Sequence, residues 1–218
     1  MEQREHREEI IQISLKLIDD GVINDGQGNL SIYDRSGGRV AITPSGVPYR
    51  ERNPEDICLV DLQGNLLDGR WKPTSEMALH LVYYNNRKDV SAVVHTHAPY
   101  STVLGITGEE SVPMVLNESA MCLGGAIPVA PYGRPGTQKL ADLTFQATGQ
   151  GTASIMAHHG LVTVGETLQE AYLATTAAEA TAEAVILARS MGAEVHSLSD
   201  EEVAVLREMF LSYGPSKA

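Results

Sequence analysis

Two histidines separated by one residue, in Val94-His95-Thr96-His97-Ala98, lie in an apolar stretch that reads as a strand. Successive strand side chains point to opposite faces, so Val93, His95 and His97 share one face while Val94 and Thr96 share the other. Two imidazole nitrogens then converge on one point. A third donor is available from the adjacent pair His158-His159, where a strand runs into Gly160 and one ring can turn inward while its neighbour faces away. Glu76, behind the hydroxyls of Thr74 and Ser75, is the leading carboxylate. Such a set suits Zn2+ acting as a Lewis acid, which takes nitrogen and oxygen donors and keeps one position open for substrate.

Elements that position these residues follow from the hydrophobic periodicity. Residues 4–20 carry Ile10, Ile11, Ser14, Leu15, Leu17 and Ile18 at helical spacing, with Gly21 as a stop. The loop Asp25-Gly26-Gln27-Gly28-Asn29 leads into a hairpin of residues 30–33 and 39–43, turned at Ser36-Gly37-Gly38. That hairpin ends in Pro44-Ser45-Gly46, a loop with backbone N–H groups to offer a ligand. Residues 57–61 and 65–67 form a second hairpin around Gln63-Gly64, and a helix is expected to begin at Thr74 or Ser75, its first turn attractive to an anion.

After the His95 strand come a short helix from Pro99, a loop and edge strand over 124–130, and a helix over 137–148 with Leu140, Leu143 and Ala147 inward. Strands at 153–157 and 161–165 bracket His158-His159. Residues 168–191 form an alanine-rich helix with Glu170, Glu179 and Glu183 as solvated charges. Ser199-Asp200-Glu201-Glu202 opens a last helix carrying Val203, Leu206, Met209 and Phe210. Without an internal repeat or a linker-like segment, residues 1–218 read as one α/β domain whose helices cover a mostly antiparallel sheet.

Composition narrows the partners. Of 218 residues, 43% are hydrophobic and 20% charged, and 16 basic against 28 acidic residues leave a net charge of -12, which disfavours nucleic acid and anionic membranes. A small ligand is expected; a phosphate ester would be held by backbone N–H groups, hydroxyls and a metal, not by a lysine cluster. Cys58 and Cys122 sit in apolar contexts that suit buried thiols in a reducing compartment. No signal-peptide core or long apolar run is present, so a cytoplasmic location is expected.

The motifs Gly28-Asn29-Leu30-Ser31, Ile42-Thr43-Pro44-Ser45-Gly46, Pro73-Thr74-Ser75-Glu76, Val94-His95-Thr96-His97-Ala98 and His158-His159-Gly160-Leu161 occur in this order across the chain. Together they resemble the class II aldolase/adducin family. The resemblance implies a three-layer α/β/α fold with a mixed, mostly antiparallel central sheet, and a homotetramer with active sites between subunits. It implies zinc held by His95, His97 and His159, with Glu76 as a ligand that becomes the general base. Asn29, Ser45, Gly46, Thr74 and Ser75 would form a phosphate cradle, and Tyr213 would serve the aldehyde end.

The implied reaction is reversible cleavage of L-fuculose 1-phosphate, or another deoxy-ketose 1-phosphate, to dihydroxyacetone phosphate and an aldehyde through a metal-stabilised enediolate. Two departures lie on the aldehyde side, where Asn117 and Pro135 replace aromatic residues of the aldolase pattern. The segment around Arg134 instead resembles relatives that decarboxylate 3-oxo-tetronate 4-phosphates. Decarboxylation, pentulose-phosphate 4-epimerisation and methylthioribulose-phosphate dehydration are therefore the alternative reactions, and an adducin-like structural module is the non-enzymatic one.

Overall fold

The computed structural model describes residues 3–212. Nine strands form its sheet: β1 (Asn29–Asp34), β2 (Arg39–Ile42), β3 (Cys58–Val60), β4 (Leu66–Asp68), β5 (Ala92–Thr96), β6 (Ser111–Val112), β7 (Ile127–Ala130), β8 (Ala153–Met156) and β9 (Gly160–Gly165). Their spatial order is β4-β3-β2-β1-β5-β9-β8-β7-β6. Among the described residues only β7 and β8 pair in parallel.

Strand period splits the core into two. On one face Ala92, Val94, Leu30 and Ile155 pack with α1 (Arg4–Asp19), α3 (Pro99–Leu104), α4 (Asn117–Leu123), α6 (Leu168–Ser190) and α7 (Asp200–Ser212). On the other, Val93, Val40, Ile42 and Val162 pack with α2 (Met77–Asn86) and α5 (Gln138–Thr148). The three-layer α/β/α architecture with a mixed, mostly antiparallel sheet is therefore present. Helix α6 approaches the sheet closely because its inner face is Ala171, Ala174, Ala178 and Ala182, all buried. Thr175 on that face hydrogen-bonds Thr163 of β9 at 2.6 Å.

Several expectations are corrected. Helix α2 starts at Met77, because Pro73 bridges Pro44 and the Thr74 N–H donates to Thr43 O at 3.0 Å, tying 73–74 to the neighbouring segment, and Ser75 and Glu76 form the turn that leads into the helix. Strand β7 is internal: the two-residue β6 covers its outer side. In α5, Leu140, Ala141, Thr144 and Thr148 are buried, whereas Leu143 and Ala147 are only half-buried. The two threonines fit there because each hydroxyl donates to the carbonyl one turn back. In α7, Val203 and Leu206 are buried but Met209 is exposed.

Glu179 is no solvated charge. It is 8% exposed and accepts from Tyr100 N, Ser101 N and Ser101 Oγ at 2.6, 2.8 and 2.7 Å, holding the start of α3.

Candidate active site

Strand register assembles the site. Asn29 of β1 lies opposite His95 of β5, and Leu161 of β9 lies opposite Thr96, so the start of β1, the end of β5 and the turn before β9 meet at one edge of the sheet. Gly160 permits this approach: a Cβ there would stand 2.3 Å from Thr96 O. Before it, His158 adopts φ 58°, a left-handed conformation uncommon outside glycine. His158 is thereby exposed, and His159 turns inward. Glu76 arrives from the N-cap of α2.

These elements bring Glu76, His95, His97 and His159 together, with one donor atom from each lying within 4.8 Å of the others. The three ring centroids are 4.7 to 5.1 Å apart. His95 Nε2 faces Glu76 Oε2 at 3.0 Å, and His159 Nε2 faces Glu76 Oε1 at 3.3 Å.

His95 Nδ1–H donates to Leu161 O at 2.9 Å, which in the neutral ring leaves a lone pair on Nε2. That buried lone pair and Glu76 Oε1 have no hydrogen-bond partner. Burial, then the neighbouring His95, lowers His97, and the same causes lower His159 to about 4. Burial alone pushes the Glu76 carboxyl up, but His95, His159 and the Asn29 amide outweigh it and hold the carboxyl far below the usual carboxylate range. An anionic carboxylate among imidazoles with buried, unpartnered donor atoms fits a divalent cation.

Glu76 is braced from behind. Asn29 Nδ2 donates to Glu76 Oε2 at 3.0 Å, which turns Asn29 Oδ1 toward His80 Nε2 at 2.5 Å and makes that nitrogen the protonated one. His80 Nδ1 then accepts from Ser31 Oγ at 2.6 Å, and Ser31 Oγ also meets the Tyr84 hydroxyl at 2.5 Å. His80 is fully buried, and burial lowers it to about 3. Sequence reading missed His80, although it lies one helical turn after Glu76, and Asn29 and Ser31 share a strand face.

A cavity of about 390 Å3 opens beside the cluster. Asn29, Ser45, Gly46, Thr74, Ser75, Glu76, His97 and His159 all line it, while His95 lies fully buried behind them. Pro135 also lines it, whereas Arg134 and Asn117 are exposed. Tyr213 lies outside the described residues. The thiols of Cys58 and Cys122 take no part: burial pushes Cys58 up to about 11 and raises Cys122.

Residues 8–186 match the Class II Aldolase and Adducin N-terminal domain family, and the chain belongs to it. It is an enzyme of the aldolase branch, a lyase. It is 36% identical to a 5-deoxy-D-ribulose 1-phosphate aldolase of Bacillus thuringiensis serovar kurstaki, over 97% of this chain and 98% of that one. An L-fuculose phosphate aldolase of Escherichia coli K12 is 32% identical over 98% of both chains. A solved L-fuculose 1-phosphate aldolase superposes with a TM-score of 0.91 at 33% identity, covering 95% of this chain and 96% of the other.

Proposed function

We propose that this protein is a zinc-dependent aldolase that reversibly cleaves a deoxy-ketose 1-phosphate to dihydroxyacetone phosphate and an aldehyde. The observation that carries the reading is the convergence of Glu76, His95, His97 and His159 beside the cavity that Ser45, Gly46, Thr74 and Ser75 also line. The three histidines, with Glu76 as fourth donor, would hold the metal, and an N3O set suits Zn2+. When bound, the cation supplies Lewis-acid stabilisation of the negative charge that develops on substrate oxygens as the C–C bond breaks.

Glu76 carries the proton to and from the carbon that becomes part of dihydroxyacetone phosphate. Its brace through Asn29 supports that role by fixing the carboxylate orientation. Ser45, Gly46, Thr74 and Ser75 hold the phosphate with hydroxyl and backbone donors, with Asn29 at the inner end. By family resemblance Tyr213 would serve the aldehyde oxygen and the assembly would be a homotetramer with sites between subunits, which light scattering tests. The unpaired thiols support a reducing, cytoplasmic location, and among the described residues no helix is long and apolar enough to cross a membrane.

Identity with the Bacillus relative favours a 5-deoxypentulose 1-phosphate as substrate, with L-fuculose 1-phosphate second. Both are offered to zinc-loaded protein, with a chelated control, and dihydroxyacetone phosphate is measured. Chelator-sensitive release is expected; no release from either substrate by the zinc-loaded protein refutes the proposal.

A further inference from the structure

Three arginines are nearly buried, Arg7 at 1% exposed, Arg87 at 6% and Arg52 at 8%. Arg7 pairs with Asp68, and Arg87 with Asp89. Among the described residues Arg52 pairs with no carboxylate. Its Nε donates to Val47 O at 2.8 Å, its guanidinium carbon lies 3.7 Å from the centre of the Tyr49 ring, and its Nη1 is buried without a hydrogen-bond partner. A buried cation left in this state is costly, and stacking on a ring offsets only part of its lost hydration. With 28 acidic residues in the chain, the missing counter-charge is not a matter of supply.

Arg52 lines the substrate cavity together with Ser45, Gly46, Thr74 and Ser75. Two backbone donors of that cradle are already spent: Ser45 N–H on Lys72 O at 2.9 Å and Thr74 N–H on Thr43 O at 3.0 Å. A phosphate monoester carrying close to two negative charges therefore meets fewer free donors there than the loop sequence suggests. Guanidinium is the side chain whose planar set of donors best matches phosphate oxygens.

We propose that Arg52 binds the phosphate of the substrate, supplying the cradle's positive charge and completing its own hydrogen bonding only when an anion is present. The proposal rests on the sugar-phosphate reading above. It makes the Ser45-Gly46 loop and Arg52 one binding unit, joined through the bond from Arg52 to Val47 O.

The test uses metal-loaded protein and the variants Arg52→Met and Arg52→Gln, which keep an unbranched stem but remove the guanidinium and its charge. KM for the cleaved ketose 1-phosphate and the inhibition constant of inorganic phosphate are both expected to rise roughly 10- to 100-fold, with kcat changing by less than about 3-fold. Inorganic phosphate should raise the melting temperature of the wild type and lose that effect in both variants, a readout independent of turnover. Unchanged KM, phosphate inhibition and phosphate-induced thermal shift in either folded variant would overturn the assignment.

A crystal of the wild type soaked in inorganic phosphate decides the matter even if neither variant folds. A phosphate oxygen within hydrogen-bond distance of an Arg52 Nη atom is expected, and a phosphate seated in the cradle more than about 4 Å from both Nη atoms contradicts it. If the wild type cleaves no ketose 1-phosphate but its phosphate-induced thermal shift still depends on Arg52, the reaction assignment fails and the anion contact stands.

Discussion

The replacement of His80 by glutamine tests the brace behind Glu76. His80 is fully buried, and burial lowers it to about 3, whereas an exposed histidine titrates near 6.5. Between these values the unfolded chain takes up a proton that the folded chain refuses. The stabilisation from holding His80 neutral is thus fully present above about pH 6.5 and is lost progressively as pH falls toward 3. With those two values, linkage gives a loss of about 2 kcal/mol between pH 7.5 and pH 5.0 from this residue alone.

Glutamine can donate to Asn29 Oδ1 and accept from Ser31 Oγ without titrating, so His80→Gln should keep the brace and shed that part of the pH dependence. Urea unfolding of chelated protein at both pH values and fixed concentration measures it, since subtracting the variant from the wild type cancels the other histidines. A wild type and a variant that lose the same stability over this interval would show that His80 is not the neutral, buried link described above. The companion His80→Leu strands Asn29 Oδ1 and leaves Ser31 Oγ only its contact with the Tyr84 hydroxyl, and is expected to destabilise at pH 7.5 by roughly 1–3 kcal/mol.

Glu76→Gln should leave the protein folded but slow turnover about 100-fold or more, because an amide moves no proton. Steady-state kinetics at saturating zinc measures it, and turnover within a few-fold of wild type would remove Glu76 from proton transfer. Glu179→Ala removes the acceptor for two backbone N–H groups and one hydroxyl at the start of α3. A loss of about 2–4 kcal/mol in urea unfolding is expected with KM unchanged; stability within about 0.5 kcal/mol of wild type would contradict that role. Metal removal should lower the melting temperature and zinc restore it, since at 100-fold excess over Kd a bound ligand contributes about 2.7 kcal/mol. A melt indifferent to chelator would speak against a cation at His95, His97 and His159.

What could be read from the chain was what local spacing encodes. His95 and His97 are two residues apart on a strand, so their shared face is dictated by the backbone itself. Glu76 was legible as a carboxylate beside two hydroxyls, but the start of its helix was not. That boundary depends on the bridge from Pro73 to Pro44, which no window around Glu76 contains. Glu179 reads as a solvated charge because it is one of several glutamates in an alanine-rich helix, yet its partners are 78 and 79 residues away. Arg52 escapes for a related reason: nothing in its own sequence window distinguishes an arginine that stacks on a ring and lines a cavity from one on the surface.

The site and the core are also one hydrogen-bonded object. From Glu76 the chain of bonds passes through Asn29, His80 and Ser31 to Tyr84, entering the layer between the sheet and α2. It can begin at the cavity only because the backbones on either side of the β5 end come unusually close. At Gly28 a Cβ would stand 2.4 Å from His95 O, and at Gly160 one would stand 2.3 Å from Thr96 O. Side chains at those positions would push Asn29 and His159 away from His95, separating the brace from the cluster of Glu76 and the three histidines. The two glycines therefore belong to the candidate active site as fully as the histidines do, through the distance they allow and not through any group they present.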